Sequence, residues 1–182
     1  MSFTDDPVQR HLHAAHLRAR AAVAEAGALT RAGFHGAALV WAVRAAEILM
    51  RDFVLAPYYL AQGETWERAM RKGSNVLGHS DWSKAFAKAE EWFGPVDEPL
   101  TSDDLNAWEA WANQVVRRRG DVVHGRAVAD VSAEDAERVV AFTERMTSWY
   151  AQRFLTSDRH PMGETFRALL DAMRREGDAA SE

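Results

Sequence analysis

An alanine-rich seam near the N-terminus limits the possible folds more than any other feature of the chain. Val8, Leu12, Ala15, Ala19, Ala22, Ala26 and Leu29 recur in alternating steps of four and three. That repeat keeps apolar side chains on one face of an α-helix. The spacing predicts a helix from about Asp6 to Arg31, with Pro7 near its start, where proline is favoured. A seam this narrow and this rich in alanine lets a second helix approach closely. Gly33-Phe34-His35-Gly36 then punctuates the chain, and a second helix is expected to end before Pro57. Leu39, Val40, Ala42, Val43, Ala46, Leu49, Met50, Phe53 and Val54 leave it only one polar row, Arg44, Glu47 and Arg51. So apolar a helix belongs at the centre of a bundle, with its polar row facing water or a polar pocket. The row reads either as surface ion pairs worth little or as Glu47 orienting a cationic group in a site.

At 182 residues the chain is long enough to bury one core. It contains no cysteine, which excludes disulfides and thiolate metal sites and fits a reducing compartment. No basic-then-apolar leader precedes Asp5, Asp6 and Pro7, and apolar runs such as 37–43 are far too short to span a bilayer. The expectation is a cytoplasmic protein without a membrane partner. A net charge of −5 argues against indiscriminate coating of nucleic acid but leaves room for a local basic cleft. His11, His13 and His16 suggest a metal site only superficially. His11 and His16 point apart on a helix, and no carboxylate or cysteine completes a ligand set. They read as exposed helix histidines, and neither a metal nor a cofactor is expected.

Residues 58–100 read as an insertion. Short amphipathic pieces, 64–72 and 81–93, are separated by Gly73-Ser74-Asn75 and Gly78, and Gly94-Pro95 and Glu98-Pro99 end the region. Trp66, Trp82, Trp92 and Trp108 cluster between residues 60 and 110. They suit either base stacking or a satellite core, and their helical neighbours favour packing. Ser102, Asp103 and Asp104 make a good helix start. Ser132-Ala133-Glu134-Asp135 caps a further helix, whose stripe is Val139, Phe142 or Thr143, Met146, Trp149 or Tyr150, and Arg153. A last short helix spans 164–175, and the tail after Gly177 is expected to be disordered. With no strand pattern, repeat or Gly-rich phosphate loop, the class is all-α. The expected architecture is an antiparallel bundle over 1–156, carrying the tryptophan-rich insertion 58–100, followed by a short helix and tail over 157–182.

The chemistry concentrates in Val115-Val116-Arg117-Arg118-Arg119-Gly120-Asp121-Val122-Val123-His124-Gly125. The upstream stripe of Leu105, Trp108, Ala112 and Val115 continues onto Arg119 and Val122, which places a permanently charged guanidinium on a buried face. That is costly without a paired anion or a wet cleft. On a straight helix Arg119 and His124 diverge by about 140°, at ~100° per residue. They meet on one ligand only if the helix yields at Gly120 or if two copies face each other. The alternative is a solvated polar row, since Arg117, Asp121 and His124 fall at i, i+4 and i+7.

Two stretches together resemble the HEPN superfamily of small helical bundles. Arg119-Gly120-Asp121-Val122-Val123-His124-Gly125 matches that family's arginine, four to six residues, histidine signature, including the glycine that follows. Ala28-Leu29-Thr30-Arg31-Ala32-Gly33-Phe34, continuing through Ala42, Ala45, Glu47 and Leu49, is similar to its first helical hairpin. The likeness covers roughly residues 15–155. It departs from the family in having Gly120, with the acid at Asp121, where a polar residue usually follows the arginine. The tyrosine that one toxin branch carries after the histidine is also absent, and Gly125-Arg126-Ala127 stands there.

The resemblance implies a metal-independent endoribonuclease, often a toxin or a phage-defence protein, working as a homodimer around one cleft, with an antitoxin or another defence-system protein as a possible partner. His124 would move a proton from or to the reacting oxygens, and Arg119 would hold the phosphate and its growing charge. Asp121 and Glu47 are supporting candidates, and Arg117, Arg118 and Arg126 would attract the RNA backbone. The competing expectation is a catalytically silent bundle that binds a partner protein, RNA or a nucleotide. A third is a structural helical subunit.

Overall fold

The computed structural model describes residues 7–78, 87–88, 91, 131–156 and 164, and among these the fold is all-α with no strand. Helix α1 (Pro7–Arg31) is followed by α2 (His35–Leu49), a π-helical segment (Met50–Leu55), α3 (Ala56–Ala61), α4 (Trp66–Gly78) and, later in the chain, α5 (Ala133–Thr156). Helices α1, α2 and α5 pack against one another, while α3 and α4 pack on each other and on the π segment.

The seam read from the sequence is the one that packs. Leu12, Ala15, Ala19, Ala22 and Ala26 of α1 are buried, and Val8 and Leu29 lie against the same core. Helix α2 answers with Ala38, Ala42, Ala45 and Ala46 between Leu39, Val43, Ile48 and Leu49. Small side chains on both helices allow the backbones to approach, and leucine, valine and isoleucine close the flanks. The expected α5 stripe is present as far as Trp149, with both Phe142 and Thr143 used, while the side chains of Tyr150 and Arg153 lie outside the described ones. Val139, Phe142, Thr143, Met146 and Trp149 are buried, together with Thr147. The hydroxyls of Thr143 and Thr147 donate to the carbonyls of Val139 and Thr143, at 2.8 and 2.7 Å, which satisfies them in an apolar setting. Ser132 caps the helix, its Oγ accepting from the Asp135 N–H at 3.1 Å.

One device turns the chain at two places. After α1 the Phe34 N–H donates to the Leu29 carbonyl at 2.9 Å and the Gly33 N–H to Thr30 at 3.1 Å. After α3 Glu64 donates to Tyr59 at 3.2 Å and Gly63 to Leu60 at 3.0 Å. Both are Schellman closures, and the pivots Gly33 and Gly63 have φ of 83° and 88°, where a Cβ would be strained. The first closure folds α2 back antiparallel on α1.

Three expectations need correction. The helical path does not stop ahead of Pro57: α2 gives way at Leu49, but winding continues through the π segment, and Pro57 sits in the first turn of α3. A proline ring inside an α-helix clashes with the carbonyl four residues back. Here the preceding turn is widened, with the Ala56 N–H bonded to the Arg51 carbonyl five residues back. Secondly, Gly73-Ser74-Asn75 does not interrupt a helix, because α4 runs through it. At Gly73 α4 lies close against the π segment. A Cβ there would lie 3.2 Å from Leu55 Cβ and 3.3 Å from Arg51 Cγ. Thirdly, α4 does not build a satellite core. Leu77 belongs to the main core, and Trp66 and Val76 pack against it.

Candidate functional site

Of the side chains proposed for the catalytic and RNA-binding site, Glu47 alone falls among the described residues. Arg117, Arg118, Arg119, Asp121, His124 and Arg126 lie outside them, as do Trp82, Trp92 and Trp108. Glu47 lies on α2 with its side chain 17% exposed, and its Oε2 stands 3.6 Å from Arg44 Nη1. The third member of the expected polar row, Arg51, has left it. Its Nε and Nη2 both donate to the carboxylate of Asp52, the latter at 3.1 Å.

Asp52 is the centre of the one charged cluster inside the described fold. Its side chain has no exposed surface. The sequence places it in the run Met50-Arg51-Asp52-Phe53-Val54-Leu55, of which every member except Arg51 is buried. A carboxylate taken out of water must be paired and hydrogen-bonded or it costs several kcal/mol, on the order of 3–5 when one partner of a buried pair is removed. Three groups answer it. Arg51 holds both oxygens; His11 Nε2 lies 3.2 Å from Oδ2, and Arg18 Nη2 lies 3.7 Å from the same oxygen. His11 and Arg18 are seven residues apart on α1, two turns along one face. The guanidinium of Arg18 is half exposed, so its share is screened and small.

Helix α4 closes the cluster from the side. Trp66 meets the His11 ring edge-on, with centroids 5.4 Å apart and planes at 73°. Gly73 presses on the stem of Arg51. A π turn holding a buried acid is the kind of irregularity that often marks a functional position in a helix. Here its demonstrable work is to tie α1, the π segment and α4 together. His11 is therefore not an exposed helix histidine. Neither is His16, which is partly buried; burial first, then Arg20 and His13, push its pKa below the ordinary value.

Sequence reasoning missed Asp52 because a lone acid in a helix is usually solvated. The signal that finds it is the absence of any polar face around it, together with a basic pair, His11 and Arg18, at helical spacing elsewhere. On the other flank of α1 a groove against α5 is lined by Arg20, Val23, Ala24, Glu144, Thr147 and Ser148. Among the described residues no group of three or more His, Cys, Asp or Glu side chains is placed to hold a metal ion, and no helix is long and apolar enough to cross a membrane. No family model matches the chain, and no characterised protein or solved structure matches it significantly.

Proposed function

We propose that the chain is a metal-independent endoribonuclease of the HEPN kind, acting as a homodimer in a toxin–antitoxin or phage-defence setting in the cytoplasm. The observation that carries this reading is the spacing of Arg119 and His124, with Gly125 following, downstream of a hairpin that turns at Gly33-Phe34. In the proposed reaction the 2′-oxygen of a ribose attacks the adjacent phosphorus, and the 5′-oxygen of the next nucleotide leaves. His124 takes the first proton or supplies the second. In a dimer two histidines divide those roles, and Arg119 neutralises the phosphoryl oxygens as their charge grows. Asp121 and Glu47 orient the reacting pair, and Arg117, Arg118 and Arg126 draw in the backbone.

The test is incubation of the purified protein with total RNA in EDTA, beside His124→Ala and Arg119→Ala. Wild type is expected to leave 2′,3′-cyclic phosphate ends, and each variant to lose at least about 100-fold in rate. Cleavage that needs a divalent ion, or that survives both substitutions, overturns the reading. Gly120 directly after Arg119 and the net charge of −5 favour a second reading, a silent bundle that binds a partner protein, RNA or a nucleotide. RNA retention without cleavage is its expected signature.

A further inference from the structure

Helices α1 and α5 present matching faces on either side of the groove between them. On α1, Leu17, Arg20 and Ala24 fall at i, i+3 and i+7 and so share one side of the helix; all three are exposed, Leu17 by 51%. On α5, Ala141, Glu144 and Ser148 repeat that spacing and are also exposed. Arg20 and Glu144 both line the groove, whose volume is about 270 Å³. Yet they do not pair with each other, and among the described residues neither makes a hydrogen bond or an ion pair. Arg20 acts instead on a base: after burial, it is the largest cause of the lowered pKa of His16.

Four of the six residues lining the groove are exposed, so its walls are themselves surface. A small-molecule site encloses most of its ligand. One cation and one anion cancel, which gives a polyanion no net attraction. What the face does complement is itself. A two-fold axis midway between Arg20 and Glu144 exchanges their positions, so each Arg20 stands over the Glu144 of the other copy and one contact forms two ion pairs. Leu17, Val23, Ala24 and Ala141 supply apolar surface beside the charges. The short side chains of Ala24, Thr147 and Ser148 keep the groove low, which suits close approach.

We propose that this flank is where two copies of the chain meet, with Arg20 of each paired to Glu144 of the other across an isologous interface. The existence of a homodimer is taken from the ribonuclease reading; its place comes from these two side chains. The particle mass of the full-length protein is followed by light scattering over a dilution series in about 0.1 M salt, where charges within ~10 Å still act on one another. Wild type is expected to be a dimer. Arg20→Glu and Glu144→Arg each turn two attractive contacts into two repulsive ones, and each should weaken dimerisation at least about 10-fold. Both reversals in one chain restore opposite charges at both contacts, so the double variant should return close to wild-type affinity.

Both side chains are exposed, so helicity should be unchanged in all three variants. A dimer indifferent to either reversal overturns the proposal, and so does a monomeric wild type. Single reversals that lower the melting temperature without changing the mass overturn it as well, because the pair would then lie within one chain. A double variant weaker than either single does the same. A dimer that obeys the reversal pattern while wild type cleaves no RNA removes the ribonuclease reading and keeps this one. Cleavage by a dimer that ignores the reversals does the opposite.

Discussion

Between Ala38 and Leu49 the second helix enters the core through alanines, leucines and valines, against the alanine seam of α1. A few residues later, in the π segment, the same helical path reaches α1 through a carboxylate, an imidazole and a guanidinium. Neighbouring stretches of one path thus use opposite means. In the first, each contact is weak, non-directional and widely shared, so no single atom is indispensable. In the second, one buried acid fixes three partners, and removing it takes away the acceptor they share.

The contrast is broken most directly at Asp52. Asp52→Ala should cost about 3 kcal/mol in urea unfolding, or roughly 6–12 °C in melting temperature for a chain of this size. If the acid is the hub, the effect of Arg51→Met should shrink in the Asp52→Ala background; additive losses in that double-mutant cycle would show that the two residues act separately. Next in size comes the seam. Ala42 has no exposed surface and packs in a cluster of other alanines, so Ala42→Leu should cost about 1–3 kcal/mol through overpacking. Ala42→Gly should cost roughly 1 kcal/mol, chiefly in helix propensity. A leucine accepted at no cost would mean that the helices are not in close approach.

The smallest effect concerns protons. The pKa of His16 is held below its ordinary 6.5 by burial, Arg20 and His13. The unfolded chain therefore binds more protons than the folded one below that value. The stability contributed by the neutral ring is intact above about pH 6.5 and is lost as the pH falls towards the lowered value. Melting temperatures at pH 7.5 and 5.5 should show a smaller decline in His16→Gln than in wild type. Equal declines would remove His16 from the account.

The seam was legible because helical periodicity is a local property. Leu12, Ala15, Ala19, Ala22 and Ala26 announce their shared face by spacing alone, as do Val139, Phe142, Met146 and Trp149 on α5. The Asp52 cluster was not, because its compensation is distant in sequence: His11 lies 41 residues away, and no window of residues contains both halves of the pair. Pro57 misled for a related reason, since a rule written for α-helices has no place for a turn one residue wider. Gly73 misled because a close approach and a chain break call for the same residue. Of the proposed catalytic pair, the sequence supplies identity and spacing, and both residues lie outside the described ones.

The π segment carries a consequence for how the chain tolerates changes in length. A π turn holds one amino acid more than the α turn it replaces, so deleting a single residue between Met50 and Leu55 need not sever the helical path. It would restore ordinary winding and leave α3 and α4 close to their present phase, whereas losing a residue from α2 itself would rotate everything after it by about 100°. The cost would fall on the proline, which the wide turn tolerates and an α turn would obstruct. The slack of one residue makes this segment the place where the path can shorten without turning the next helices to another side of the bundle.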